Sequence, residues 1–205
     1  MHVYNLLPIC GASAAICLSL LTQHAANASS NDWVIDPKAS TIKFVAKTGT
    51  NIRAIGIFTD VSGKLTYQRS SPGSFAVSAE IPLRTLSTGV NVRDEDLIGP
   101  KYFDIRRFPM TTFTAKQLVK NRDGSYRISG QLTLRGLTRA VDVHAPEPKI
   151  SIDKTGRRTL SVVGAATIDQ SNFGLSLIYL HPRRDVWINK DIAITIELRA
   201  SERTR

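Results

Sequence analysis

Cysteine and histidine are scarce in this chain of 205 residues, and their positions limit its chemistry. Cys10 and Cys17 are the two cysteines, and both lie within the first twenty residues. If that segment is removed, the remaining chain can form no disulfide, use no thiol in catalysis and hold no metal through cysteine. His144 and His181 are the histidines beyond residue 28, and their separation argues against a zinc site. The sequence therefore predicts neither a bound metal nor a cofactor.

Charge is also absent from the first 28 residues, which contain no Lys, Arg, Asp or Glu. An apolar run from Ile9 to Leu21 is followed by the small residues of Ala26-Asn-Ala28, an order that is typical of a secretory signal peptide. This run of about thirteen residues is too short to cross a membrane as a helix. We expect residues 1–28 to be a cleaved signal peptide and residues 29–205 to be the mature domain of an exported protein. Because no Lys or Arg precedes the apolar run, a buried N-terminal helix is the alternative.

Apolar and polar residues alternate with a period of two from Trp33 onward, which predicts β-strands. Turn sequences such as Ser71-Pro-Gly73 and Asn121-Arg-Asp-Gly124 separate the alternating runs. One-sided alternation with short connections predicts an antiparallel sheet with one dry face. The clearest alternating runs are Thr41–Lys47, Ser74–Ile81, Tyr126–Arg135 and Asp191–Ala200.

One long connection, Leu86–Phe108, breaks the alternation. It contains Arg93-Asp-Glu-Asp-Leu97, which we interpret as part of one or two short helices that lie across an end of the sheet. The acidic cluster indicates a capped, solvated helix start rather than an acid–base pair. The sequence shows no internal repeat or low-complexity linker, so the chain is predicted to form one domain.

About eight predicted strands must protect the edges of their sheet, either by closing into a barrel or by folding into a sandwich. The strongly alternating last strand can pair with the first, and this favours a barrel. Small residues at inward positions leave either volume for a ligand or room for a sharply bent strand, and several together favour a cavity. The inward small residues are Gly56, Ala79, Gly130, Gly164 and Ala166.

No inward position of the predicted strands carries an evident catalytic base or nucleophile. The residues therefore predict an exported β-barrel that binds something apolar. A barrel enzyme that acts on an apolar substrate is the alternative, with Asp94, His144 or His181 as the places for a titratable group. A stress-related envelope protein with a solid barrel and no ligand is a third hypothesis.

Basic residues outnumber acidic ones, 27 to 17, which gives a net charge of +10. Arginine pairs occur at Arg106-Arg107, Arg157-Arg158 and Arg183-Arg184, in or near predicted loops. They suit a phosphate head group or an anionic membrane surface, or they form an ordinary solvated basic surface. An exported protein without aromatic stacking residues on its wet face is not expected to bind nucleic acid. The sequence leaves the oligomeric state open.

A series of short motifs extends from Trp33 to about Ala200. The motifs are Trp33-Val-Ile-Asp-Pro37, Gly56-Ile-Phe58, Ile81-Pro-Leu-Arg-Thr85, Arg93-Asp94, Tyr102-Phe-Asp104, Phe108-Pro-Met-Thr-Thr-Phe113, Gly130-Gln-Leu-Thr-Leu-Arg-Gly136 and Asn172-Phe-Gly174. No single motif is specific, but their order and spacing together are. With them the chain resembles the YceI-like family of periplasmic polyisoprenoid-binding proteins.

The resemblance implies an all-β fold, an eight-stranded antiparallel lipocalin-like barrel with short helices in one inserted connection. It implies a periplasmic protein, not an enzyme, that holds a polyisoprenoid or similar long apolar chain in the barrel as a carrier or sequestering protein. Three positions depart from the residues usual in the family: Ala39-Ser40 replaces His-Ser, Lys47 replaces His, and Gln170 replaces Arg. These departures concern the polar end of a ligand more than its tail.

Strand parity and the resemblance together give the residues expected to contact the apolar chain. They are Phe44, Phe58, Phe75, Val77, Phe113, Leu132, Leu134 and Phe173. Arg93 and Asp94 are instead expected to fix the inserted connection to the barrel.

Overall fold

The computed structural model describes residues 31–48, 53–176, 178–181 and 184–203. Most of these residues lie in strands, and none of their helices has the length and apolar content needed to cross a membrane. The strands are β1 (Asp32–Ile35), β2 (Thr41–Lys47), β3 (Arg53–Phe58), β4 (Ser62–Thr66), β5 (Ala76–Pro82), β6 (Met110–Lys120), β7 (Tyr126–Leu134), β8 (Leu137–Ala145), β9 (Lys149–Ile152), β10 (Arg158–Asp169), β11 (Ile178–His181), β12 (Arg184–Trp187) and β13 (Asp191–Glu202). The α-helix is α1 (Asn91–Ile98), and short 3-10 helices are Pro72–Ser74, Leu83–Thr85 and Gln170–Phe173.

The strands close into an antiparallel barrel of eight because β13 pairs along both of its edges. One edge pairs with β10, from Asp191 to Ser201. The other edge pairs first with β2 and then with β1, where Trp33 lies opposite Glu202. The order around the barrel is β1, β4, β5, β6, β7, β8, β10 and β13. The structure thus confirms the predicted barrel and the predicted pairing of the last strand with the first.

The hairpin β2–β3 continues the β1–β4 pair along β13 after a bend at residues 36–40. Ser40 is buried at this bend, where its hydroxyl accepts a hydrogen bond from the Arg199 amide at 3.1 Å and donates one to the Arg199 carbonyl at 3.2 Å. The amide of Asp36 also donates to that carbonyl, at 2.8 Å. These contacts satisfy backbone groups of β13 at the bend, so the barrel wall stays continuous there.

Inward side chains form two apolar clusters, one toward each end of the barrel. At one end, which we call the helical end, residues 83–109 with α1 lie across the barrel. They bring Leu97 and Phe103 against a cluster that includes Phe58, Leu83 and Phe173. At the other end, which we call the tyrosine end, the second cluster includes Trp33, Leu65, Tyr67, Phe75 and Leu160. Side chains of the strands and of the inserted connection therefore build the apolar interior together.

The inserted connection is ordered around Thr88 and contains the single helix α1, in agreement with the predicted one or two short helices. The carboxylate of Asp94 accepts hydrogen bonds from the Thr88 amide at 2.8 Å and the Thr88 hydroxyl at 2.5 Å. Arg93 donates to the same hydroxyl at 2.8 Å and to the Thr88 carbonyl at 3.1 Å. The neighbouring Ser87 exchanges two backbone hydrogen bonds with Ile57 of β3. Arg93 and Asp94 thus order the start of α1, and Ser87 makes the adjoining link to the barrel.

Candidate functional site

A cavity of about 640 Å³ runs through the barrel from the helical end to the tyrosine end. Its volume lies in the range of pockets that enclose drug-sized ligands. Inward side chains of the strands form the wall, with Leu97 and Phe103 of the inserted connection at the helical end. Nearly all of the wall side chains are apolar, so the cavity favours a hydrocarbon chain over a polar solute.

Three phenylalanine rings contact one another at the helical end. The ring centroids of Phe44 and Phe58 are 5.7 Å apart with an interplanar angle of 36°. Those of Phe58 and Phe103 are 5.6 Å apart with an angle of 85°, an edge-to-face arrangement that is favourable between aromatic rings. The three rings join β2, β3 and the inserted connection, so segments distant in sequence build the wall at this end.

Two of the small inward residues accommodate neighbouring aromatic rings. A Cβ atom on Gly56 would lie 2.3 Å from Cζ of Phe44, and one on Gly130 would lie 2.4 Å from Cζ of Phe113. Each glycine therefore lets a phenylalanine ring lie against the strand, which is neither of the two roles we considered for it. The other three small residues do line the cavity: Ala79, Gly164 and Ala166.

Seven of the eight residues expected to contact the ligand lie at the cavity wall. They are Phe44, Phe58, Phe75, Val77, Phe113, Leu132 and Leu134. Phe173 is not part of the wall; it is 2% exposed and packs inside the cluster at the helical end. Its neighbours Gln170 and Leu175 reach the wall instead. Contact of the eight residues with a ligand stays a prediction.

Arg93 is the one charged side chain at the cavity wall among the residues that the structure describes. Its hydrogen bonds to Thr88 hold the guanidinium at the helical end. A guanidinium carries five N–H donors in a planar fork that suits phosphate and carboxylate groups. An anionic group at this end of the cavity would therefore have Arg93 as its partner.

The described arginines of the three predicted pairs do not line the cavity. Arg107 lies 3.7 Å from Asp104, measured between Nη1 and Oδ2. Arg158 forms a 2.8 Å ion pair with Glu202. The side chains of the pair at residues 183 and 184 lie outside the part of the chain that the structure describes. The described pairs therefore belong to the surface rather than to the candidate site.

Two tyrosine side chains reach the cavity at its other end. Tyr67 directly follows β4, and Tyr126 begins β7. Tyr67 is 2% exposed, and its hydroxyl has no hydrogen-bond partner among the described residues. Burial, followed by the neighbouring hydroxyl of Tyr126, raises the pKa of Tyr67 to about 12. The hydroxyl of Tyr67 therefore stays protonated at neutral pH and remains a hydrogen-bond donor.

The polar residues of the wall are missing from the predicted set. Tyr67 and Tyr126 continue the inward positions of their strands, so parity locates both, but a prediction restricted to apolar side chains omits them. The same holds for Thr111, whose buried hydroxyl also has no partner within the described ranges. Arg93 reaches the wall from a helix, where strand parity gives no signal.

Of the residues named for the enzymatic alternative, Asp94 and His144 do not line the cavity. Asp94 binds Thr88, His144 is exposed on β8, and the side chain of His181 lies outside the described residues. No Asp, Glu or His that the structure describes lines the cavity. Across the same residues, no three metal-ligating side chains gather at one place. The described wall therefore offers a binding surface and no acid–base pair.

Comparison with known proteins assigns the chain to a family. The sequence profile of the YceI-like domain matches residues 33–200. The chain belongs to the YceI-like family. A UPF0312 protein of Shewanella sp. (strain W3-18-1) is 26% identical to this YceI-like protein over 167 residues, which cover 80% of this chain and 86% of the relative. A UPF0312 protein of Vibrio vulnificus (strain YJ016) is 25% identical over 169 residues, which cover 81% and 88%.

Solved structures share the fold of this YceI-like protein. BcnA of Burkholderia cenocepacia aligns with a TM-score of 0.67 and 18% identity, over 80% of this chain and 98% of its own. The YceI protein of Campylobacter jejuni aligns with a TM-score of 0.62 and 22% identity, over 73% and 85%. A polyisoprenoid-binding domain from Saccharophagus degradans, implicated in plant cell wall breakdown, aligns with a TM-score of 0.62 and 15% identity, over 83% and 98%.

Of the positions that depart from the family's usual residues, Gln170 alone lines the cavity. Its side-chain amide donates to the Asn189 carbonyl at 2.8 Å and connects the turn after β10 to the residues before β13. Ala39 lies at the bend before β2, where its amide donates to the Asp36 carbonyl at 3.2 Å, and Lys47 is exposed. Two of the three departures therefore have positions in the barrel wall or on its surface, away from the cavity.

Proposed function

We propose that this YceI-like protein binds a polyisoprenoid or a similar long apolar chain inside its barrel and acts as a carrier or sequestering protein, not as an enzyme. The observation that carries the proposal is the apolar cavity that joins the two ends of the barrel. The polyisoprenoid-binding domain of Saccharophagus degradans has the same fold and supports this ligand class. A solid barrel without a ligand does not fit a cavity of this size.

Hydrocarbon contacts suffice for strong binding in such a cavity. Each buried CH₂ group contributes about 0.8 kcal/mol, so a five-carbon isoprene unit contributes roughly 3–4 kcal/mol before the costs of association. A few units already approach the practical limit of non-covalent affinity, near −20 kcal/mol. Preference among long chains should therefore come from the depth and shape of the cavity.

The proposal includes export to the periplasm. Residues 1–28, which we interpret as a signal peptide, lie outside the described part of the chain. An anionic membrane surface is a suitable place to collect the lipid because the protein carries a net charge of +10. A phosphate head group would lie at the helical end, since Arg93 is the charged residue of the described wall.

Native mass spectrometry of protein purified without detergent tests the proposal. We expect a bound apolar molecule that dissociates on collisional activation. We also expect the mass of the protein to correspond to a mature chain that starts at Ser29. The proposal is overturned if the protein carries no such molecule and takes up none from liposomes that contain a twenty-carbon prenol.

Two neighbouring residues of β10 provide matched variants for the same measurement. Ala166 lines the cavity, whereas Ala165 is exposed on the outer face. Ala166→Phe fills part of the cavity and is expected to reduce ligand occupancy about tenfold or more, because the ring displaces several buried CH₂ groups. Ala165→Phe is expected to leave occupancy unchanged. Equal occupancy in the two variants would indicate that the ligand binds outside the barrel.

A further inference from the structure

We infer that the tyrosine end of the cavity is a subsite for a neutral oxygen atom of the ligand. A carbonyl, ether or hydroxyl oxygen at the buried end of an apolar chain would accept a hydrogen bond from Tyr67 or Tyr126. This inference rests on the proposed function and adds that the oxygen-bearing end of the ligand enters first. The subsite selects among apolar chains in a way that a hydrocarbon wall alone does not.

The position of Tyr67 is fixed by contacts that do not involve its hydroxyl. The Tyr67 amide donates to the Asn31 carbonyl at 2.9 Å, and the Tyr67 carbonyl accepts a hydrogen bond from Nε1 of Trp33 at 3.2 Å. The ring packs in the cluster that contains Leu65 and Phe75. The hydroxyl of Tyr126 is close enough to raise the pKa of Tyr67, but no described group meets both the distance and the angle of a hydrogen bond with the Tyr67 hydroxyl. The hydroxyl is therefore not required for the packing around it.

A buried hydroxyl without a partner is unfavourable, and a phenylalanine at the same position would avoid that cost. Phe75 and Phe113, which pack in or against the same cluster, show that this end of the barrel accepts phenylalanine rings. Tyr67 at the apolar wall is explained if a ligand oxygen supplies the missing partner, because a few polar groups in an apolar pocket fix the orientation of a ligand.

The surroundings of the tyrosines favour a neutral oxygen over an anion. No charged side chain of the described residues lines this end of the cavity, and an anion buried there would be strongly unfavourable. The Lys120 ammonium lies 5.6 Å from the centroid of the Tyr126 ring but is not part of the wall. The charged groups that act on Tyr67 are Glu147 and Arg69, an ion pair 2.8 Å apart whose effects on Tyr67 oppose each other. Arg93 lies at the opposite, helical end.

Three probes with the same twenty-carbon chain test the inference on the full mature protein. They are geranylgeraniol, the hydrocarbon that lacks its hydroxyl, and geranylgeranyl phosphate, each measured by displacement of a fluorescent lipid. We expect the wild-type protein to bind the alcohol about tenfold more tightly than the hydrocarbon. Tyr67→Phe should lower this ratio to about one while affinity for the hydrocarbon is kept or rises.

Two further variants complete the test. Tyr126→Phe removes the second hydroxyl of the subsite and should also lower the ratio; it serves in place of Tyr67→Phe if that variant does not fold. Thr138→Val removes a hydroxyl that is exposed on β8 and absent from the cavity wall, and it should keep the ratio of the wild-type protein.

The outcomes separate this inference from the function on which it rests. Equal affinity of the wild-type protein for alcohol and hydrocarbon would overturn the inference, as would a ratio that both tyrosine variants leave unchanged. Tightest binding of the phosphate, lost in Arg93→Gln and insensitive to the tyrosine variants, would overturn it in favour of the helical end. Failure of all three probes to bind would contradict lipid binding itself and the inference with it.

Discussion

The two ends of the barrel are built differently, although one apolar cavity joins them. At the tyrosine end the wall comes from paired strands, where β9 pairs with β10 over Arg158–Ser161, although β8 meets β10 at the single pair His144–Ala165. At the helical end it includes the inserted connection and the chain beside β12, which meet the strands through the isolated bridges Ile57–Ser87 and Thr48–Ile188. Segments with few backbone hydrogen bonds to the rest separate at a lower free energy than paired strands do. We therefore expect a ligand to enter at the helical end.

The two ends also differ in the charge of their polar groups. The helical end offers the charged guanidinium of Arg93 beside the hydroxyls of Tyr102 and Thr111, whereas the tyrosine end offers only the neutral hydroxyls of Tyr67 and Tyr126 among the described residues. We expect a cavity with one cation at its helical end and no charged wall residue at its tyrosine end, among the described residues, to distinguish the two ends of a ligand. The comparison shows how a nearly uniform apolar wall can still orient an elongated molecule.

The largest expected effect is on the free energy of unfolding, and it compares how tightly the two ends are packed. Leu160 is 1% exposed in the cluster at the tyrosine end, whereas Leu97 is half-buried on α1 and already borders the cavity. Leu160→Ala should lower the free energy of unfolding by about 2–5 kcal/mol, and Leu97→Ala by about 1–2 kcal/mol. Urea unfolding of both variants measures this difference. Equal losses would mean that the two ends are packed alike.

A smaller effect concerns alkaline pH. Tyrosine in the unfolded chain ionises near its ordinary pKa of 10.0, whereas burial and Tyr126 raise the pKa of folded Tyr67 to about 12. The unfolded state therefore loses its proton first, and the free energy of unfolding should fall by about 1–3 kcal/mol between these pH values. Urea unfolding from pH 9 to 12 should show a shallower fall in Tyr67→Phe. Parallel curves for the variant and the wild type would refute the assignment.

At the helical end, Tyr102 provides the comparison for that measurement. Burial, and next the charge of Asp96, raises the pKa of Tyr102 above its ordinary value. Tyr102→Phe should therefore change the alkaline unfolding curve in the same direction as Tyr67→Phe.

The smallest expected effect concerns the charge at the helical end. Arg93→Gln should weaken binding of geranylgeranyl phosphate about tenfold, because the phosphate loses its charged partner, with a smaller change for geranylgeraniol. Arg93→Lys should keep part of the affinity, since it retains the charge without the planar fork. Displacement titrations at two salt concentrations measure both variants. An identical loss for the two lipids would show that Arg93 acts only by ordering the start of α1.

The alternation of the sequence predicted the barrel and most of the described apolar wall because strand geometry imposes a period of two on side-chain direction. Phe44, Phe113 and Leu132 follow this rule directly. Parity does not predict which way a ring turns along the wall, so it could not show that Phe44 covers Gly56. It also fails outside strands, where Phe173 packs beneath a turn and Arg93 extends from a helix.

The polar part of the site could be predicted only in part, for a physical reason. Tyrosine is both apolar and a hydrogen-bond donor, so an inward tyrosine is compatible with a packed core and with a binding site. What distinguishes Tyr67 is the lack of a partner for its hydroxyl among the described residues, and hydrogen-bond partners are a property of the folded chain. Residues 1–28, which carry the predicted signal peptide, lie outside the described part of the chain.

The pairing of β13 on both edges has a consequence for the folding of the newly synthesised chain. Until residues 191–202 have been synthesised, the facing edges of β10 and β1 stay unpaired and the apolar interior is accessible from the side. We expect this interval to be the time of greatest risk of aggregation. If the protein binds lipid as proposed, we expect that a lipid can enter during this interval without passing either end, so that closure of the barrel and the first binding of ligand coincide.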